Sequence, residues 1–303
     1  MSILLCRLHL FFLNMSNFYM KNLLVIGCIV ISFTYTHAQQ KEQFQFDHKA
    51  IYEVTYLVDS LDQDSKKQEM TELLIGDGTS LFRSFQKASD DSSYRAYIRN
   101  KVITMSEPIV TSVGDINAFN YQVLKDFSSG QTKVYDEYTG GSLGTLKEIA
   151  YYFEPQEAMS DWALKEDTAT INGHLCQRAD IEFGGRIWTA WFSPEMAAYS
   201  DGPYKFRGLP GLIFRVHDAK KTWDFELVDF SKIDTLISIN FKEDLSFKET
   251  SKEDVFKNRR DFQKNQVEIN EAAGTDYGDS KKDVKKKLEE YILHDNNWIE
   301  LYH

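Results

Sequence analysis

The chain has 303 residues, of which five are proline and three cysteine, and carries a formal net charge of −11. That balance excludes nonspecific attraction to nucleic acid phosphates, which needs a basic surface. Only Cys176 lies beyond the first 38 residues, so no internal disulfide is available there and the fold must be held by its core.

Residues 1–38 read as an export signal with a working start at Met20. Met20 and Lys21 give a positive n-region, Leu23 to Phe33 an apolar h-region, and Thr36, His37 and Ala38 a cleavage site before Gln39. Two other readings use the same residues. One is a membrane anchor, for which the apolar run is short. The other is a lipobox, Val25, Ile26, Gly27 and Cys28, with the lipid on Cys28. The expectation is a soluble exported chain, periplasmic or associated with the outer membrane, with no transmembrane segment once mature.

Residues 39–248 read as an antiparallel β domain. Tyr52, Val54, Tyr56 and Val58 alternate with Glu53 and Thr55, the pattern of a half-buried strand. Asp77-Gly78 between Glu72–Ile75 and Ser80–Phe85 signals a hairpin. Tyr94–Ile98 with Lys101–Met105 predicts a second, and Gln122–Phe127 with Gln131–Tyr138 a third. Asn172-Gly173 and Gly184-Gly185 turn between further strand-like runs, and Leu212–Val216 pairs with Thr222–Phe230 across Asp218–Lys221. Roughly a dozen short strands joined by tight turns predict an antiparallel sheet rather than alternating strand–helix units.

Residues 249–303 read as a helical C-terminal segment. Ser251 to Asp254 and Ser280 to Asp283 have the form of capping boxes with Asp at the third position. Val284, Leu288, Tyr291 and Ile292 form one stripe of an amphipathic helix. A less regular helix carries Val255, Phe262 and Ile269 every seven residues.

The stretch from Gly202 to Phe214 concentrates two prolines and three glycines among large apolar residues. Leu209, Pro210, Gly211 and Leu212 fit a type II turn, with proline presetting φ and glycine taking the positive φ. Leu209 and Leu212 are then expected to turn inward, with Gly208 allowing a close backbone approach. A phosphate-binding glycine loop does not fit, because no helix opens after it.

Gly208, Leu209, Pro210, Gly211, Leu212 and Ile213 spell the hexapeptide of the GLPGLI family of exported Bacteroidota proteins. Ile171, Gly173, Cys176, Ala179, Gly185, Arg186, Trp188, Ala190, Trp191, Gly202, Pro203, Lys205 and Phe206 also resemble that family in order and spacing. The tail Asn296 to Leu301 is similar to its closing Asn-Pro-Ile-Glu-Leu, with Trp298 in place of proline. The resemblance implies export and no particular activity, while the structural role expected of the hexapeptide comes from its turn chemistry. More loosely, the strands resemble the curved antiparallel half-barrel of periplasmic lipoprotein carriers, a likeness of fold alone that implies a mainly β chain with a curved antiparallel sheet or half-barrel.

His174 and Cys176 share a strand face, yet a nucleophile pair or metal site needs further partners, and a buried inert Cys176 is the simpler reading. Arg186 and Trp188 share one face of their strand and Trp191 takes the other. An Arg–aromatic pair binds carboxylates or sugar faces, and Tyr204, Lys205 and Arg207 are placed to complete a polar rim. Arg186, Trp188, Tyr204, Lys205 and Arg207 are therefore the candidate binding surface. The competing reading puts Trp191 in the core and stacks Arg186 on Trp188 at the sheet surface. Asp180 and Glu182 have glycosidase-like spacing that any solvated strand also shows. No catalytic, cofactor or metal site is expected. The expected function is binding of an amphiphilic small molecule or an outer-membrane protein, with no nucleic acid partner. The alternative is an envelope hydrolase, or another enzyme, using the region of Arg186, Trp188 and Cys176.

Overall fold

Period-two sequence becomes twelve strands in the computed structural model, which describes residues 43–89, 119–136, 148–240, 246–272 and 274–301. The segment expected to be an export signal and the hairpin expected over Tyr94–Met105 lie outside those residues. The strands are β1 (Gln43–Leu57), β2 (Lys66–Ile75), β3 (Thr79–Ser84), β4 (Tyr121–Asp126), β5 (Gln131–Asp136), β6 (Glu148–Pro155), β7 (Ala163–Ile171), β8 (His174–Phe183), β9 (Arg186–Ser193), β10 (Leu212–Asp218), β11 (Trp223–Asn240) and β12 (Ser246–Glu249). They form one open, curved sheet in the order β12-β6-β5-β4-β3-β2-β1-β11-β10-β9-β8-β7. Every pair is antiparallel except β12 on β6, which is parallel.

Sequence neighbours pair because their turns are tight. Asn172 and Gly173 take φ of 51° and 81°, both left-handed, which is the type I′ geometry that matches strand twist. One face of the sheet carries the main core, including Tyr52, Val54, Phe82, Val123, Trp188, Phe192, Phe206, Leu212 and Phe225. Around β1 to β6 the opposite face is buried as well, by Phe46, Leu74, Leu81, Leu124, Tyr135 and Ile149. That is why β4 reads as a buried run rather than an alternation.

The C-terminal segment supplies α1 (Lys252–Lys264), α2 (Gln266–Ala272) and α3 (Lys281–His294). Ser251 caps α1 by accepting from the amide of Asp254 at 3.1 Å. The second expected box does not form. Ser280 closes a short 3-10 turn, is helical itself, and donates to Tyr277 instead. The seven-residue spacing over Val255, Phe262 and Ile269 is also corrected, because the helix breaks at Asn265. The buried positions are Val255, Phe256, Gln263, Gln266 and Val267. Among the described residues no helix is long and apolar enough to cross a membrane.

Candidate functional site

Leu209 and Leu212 do turn inward, at 2% and 0% exposure. The turn between them is not type II. The amide of Gly211 donates to the carbonyl of Leu209 at 2.9 Å, closing a three-residue turn around Pro210, and Gly211 lacks a positive φ. Its glycine is needed for contact, since a Cβ there would lie 2.0 Å from the carbonyl oxygen of Ser193. Gly208 carries the positive φ, 87°, and lies against the carbonyl of Met159. The loop is thus pressed onto β9 and onto the 3-10 turn after β6. Trp162 fastens it by donating its indole N–H to the carbonyl of Arg207 at 2.7 Å.

Beneath the loop, the amide of Ile213 donates to Asp201 at 2.9 Å, and the hydroxyl of Tyr52 to the carbonyl of Ile213 at 2.8 Å. Lys125, fully buried, donates to Asp201 at 2.5 Å and to the carbonyl of Gly202 at 2.7 Å. Burial pushes its ammonium down, and Asp201 opposes the shift.

The residues expected to form an exposed rim are brought together, but inside the protein. Tyr204 and Lys205 occupy a turn closed by Phe206 donating to Pro203 at 3.0 Å. Tyr204 sits at φ 51°, an unfavourable conformation for a bulky side chain. Its hydroxyl donates to the carboxylate of Glu300, which also accepts from Lys205 at 2.6 Å and Lys252 at 2.6 Å. Glu154 bridges the same two lysines, at 2.5 Å from Lys252. Two carboxylates and two ammonium groups therefore alternate around Lys205. Burial raises the Glu300 carboxyl, but the lysines outweigh it and hold it at about 2. Burial lowers the ammonium of Lys205, and Glu300 and Glu154 more than restore it.

Arg186 is corrected most. It does not stack at a surface. It is buried and clasps the chain's own tail. Its Nη2 donates to Asn297 at 2.7 Å and to the carbonyl of Trp298 at 2.6 Å. Its Nε reaches the carbonyls of Trp298 and Ile299, and its Nη1 reaches Asp218 and Thr222, all at 3.2 Å. Burial pushes the guanidinium down and Asp218 counters it. Asn297 further donates to the carbonyl of Leu57 at 2.7 Å and accepts, through its own carbonyl, from Trp223 at 2.8 Å.

Trp188 is fully buried against Phe206, with ring centroids 4.7 Å apart, while Trp191 is only half-buried where it packs against the core cluster. The expected assignment of the two tryptophans is inverted, because the face shared by Arg186 and Trp188 is the core face. Cys176 is buried and its thiol donates to the carbonyl of His174 at 3.7 Å. Burial pushes that thiol up to about 11, so it is no ready nucleophile. Asp180 is engaged by Arg178 at 3.0 Å and by Thr189 at 2.8 Å.

Arg207 is the one member of the rim left partly open. Its guanidinium lies 4.4 Å from the centroid of Phe127, and its Nη1 is buried without a hydrogen-bond partner. With Lys205, Glu154 and Phe183 it lines a cavity of about 20 Å³. That is room for a single water and far below the several hundred Å³ of a ligand pocket. Chemically, the arrangement fastens loop, sheet, α1 and tail together. The tail residues Asn297 and Glu300 are the members that sequence reasoning missed as site residues. The signal for them was the closing motif itself.

No family model matches the chain, and no curated protein matches it. Two solved structures of PNGF-II, from two crystal forms, are similar to it at TM-scores of 0.46 and 0.47, with 11% and 10% identity. The matches cover 71% and 73% of this chain and 34% of each PNGF-II chain. The chain thus corresponds to about a third of the length of those proteins.

Proposed function

We propose that this is an exported envelope protein of the GLPGLI kind that acts by binding a partner protein through its outer surface. The observation that carries this reading is how tightly the region of the expected site is filled. Around the loop, Arg186, Lys205, Lys252, Glu154 and Glu300 spend hydrogen bonds on one another, on Asp218 and Thr222 and on the tail, and the cavity lined by Lys205, Glu154 and Arg207 is about 20 Å³. An amphiphile of ordinary size has no room there, and an enzyme built on Arg186, Trp188 and Cys176 has no free group to use. The export signal read in residues 1–38 supports the envelope as its place of work.

Purification of the native protein from cell envelopes, followed by native mass spectrometry, tests this. Co-purification of a membrane protein is the expected result. A monomer carrying only a small amphiphile, or nothing at all, overturns it.

A further inference from the structure

A second cluster, built on residues outside the network of loop and tail, has the geometry of a nucleophile relay. In β1 the pairing with β11 jumps from Phe46 opposite Ile237 to His48 opposite Lys232. This bulge reverses which face the even-numbered residues occupy. Phe46 lies in the second apolar cluster, whereas Ala50, Tyr52 and Val54 lie in the main one. Bulges re-aim side chains in this way and recur beside active sites. Neighbouring residues on a regular strand point apart, yet here the carboxylate of Asp47 reaches Nδ1 of His48 at 2.8 Å.

The other ring nitrogen, Nε2, lies 3.0 Å from the hydroxyl of Tyr199. An ionised carboxylate only accepts, so Nδ1 carries the proton facing Asp47, and in the neutral imidazole Nε2 is then the acceptor. The phenol must then donate, which leaves its oxygen lone pairs free. The imidazole is held in place by Phe230, stacked at 5.8 Å and 14°, and by the Tyr199 ring at 4.7 Å. The cluster is reachable from solvent, the His48 and Asp47 side chains being 17% and 47% exposed. This is the order of groups in a hydroxyl–imidazole–carboxylate triad, with a phenol in place of serine.

We propose that Asp47, His48 and Tyr199 form a relay that makes the Tyr199 phenol an acceptor for acyl groups from activated carboxylic esters. The Tyr199 oxygen bonds to the carbonyl carbon as its proton passes to Nε2 of His48. The bond from carbon to the departing oxygen breaks, and that oxygen takes the proton from His48. The products are an acylated Tyr199 and a free alcohol or phenol, with no change of oxidation state. Asp47 is a positioning residue that fixes the imidazole tautomer. This inference does not rest on the partner-binding reading, since it uses a different part of the protein.

The purified full chain mixed with p-nitrophenyl acetate tests it. The expected result is a stoichiometric burst of nitrophenolate, with the acetyl group found on the peptide containing Tyr199. Tyr199→Phe, which removes only the hydroxyl, abolishes the burst. His48→Ala slows acetylation by about 100-fold, the scale of a lost general base, and added imidazole restores it. Asp47→Asn slows it and moves the His48 proton between ring nitrogens, visible in nitrogen NMR. Acetyl scattered over exposed lysines and tyrosines overturns the proposal. So does a burst that survives in Tyr199→Phe, or a His48→Ala rate equal to that of the parent.

Discussion

Lys125 lies under the loop opposite one carboxylate, Asp201, while Lys205 lies at its rim between two, Glu154 and Glu300. Both lysines are buried. Burial works against the charge in each, but it prevails at Lys125 and is overcome at Lys205. The comparison teaches that, where both lysines are buried, the facing charges set the direction of the shift: two carboxylates at Lys205, against one carboxylate and the like charge of Arg207 at Lys125. It also gives the tail a role. Glu300 is the second carboxylate of Lys205, so undocking the tail converts the networked lysine into one like Lys125.

The comparison breaks most sharply at Arg186, which holds the tail that delivers Glu300. Arg186→Ala is expected to destabilise by about 4 kcal/mol, the scale for breaking a buried ionic contact, as read by urea unfolding. If Arg186→Ala changes stability little, the tail is not held by this clasp. Glu300→Gln removes only the second carboxylate and is expected to lower stability by about 3 kcal/mol.

That variant also has a pH signature. The Glu300 carboxyl is held at about 2 against an ordinary 4.5. A depressed carboxyl stabilises the fold fully above its unfolded value and loses that effect as pH falls through the folded one. The wild-type urea midpoint should therefore drop between about pH 5 and pH 2, and Glu300→Gln should flatten that limb. An acid limb that is unchanged in the variant assigns the loss to other carboxylates.

Gly211→Ala tests whether the seating of the loop on Ser193 keeps both lysines in place. A Cβ set against that carbonyl is expected to destabilise by about 2 kcal/mol through backbone displacement, measured by thermal unfolding. The smallest effect is expected at the Lys125–Asp201 pair. Lys125→Met with Asp201→Asn replaces both charges and should change stability by less than about 1 kcal/mol. A large loss there would make the single pair as important as the network and erase the contrast.

Much of the fold was legible because turns and alternation are local. Asn172-Gly173 marks a strand reversal by its own chemistry, and Trp223, Phe225 and Leu227 show their shared face in the sequence. Leu209 and Leu212 turn inward as expected, but through a tight turn around Pro210 and the contact of Gly211 with Ser193 rather than through a type II turn. The turn type was missed because Gly211 answers to Ser193, which lies on another strand, and not to its own φ. Arg186, Tyr204 and Lys205 were singled out as a group but expected in solvent. Charged side chains argue for exposure until their partners are known, and those partners, Asn297 and Glu300, are about a hundred residues away in the chain. The bulge that joins Asp47 to His48 left no mark in the alternation of β1, since it depends on the register against β11.

The central claim is that Glu300 and Lys205 act as a unit tying the tail to the loop. A double-mutant cycle with Lys205→Met and Glu300→Gln, read by urea unfolding, measures it most directly. The account predicts a coupling of about 2 kcal/mol, whereas losses that add to within about 0.5 kcal/mol would contradict it.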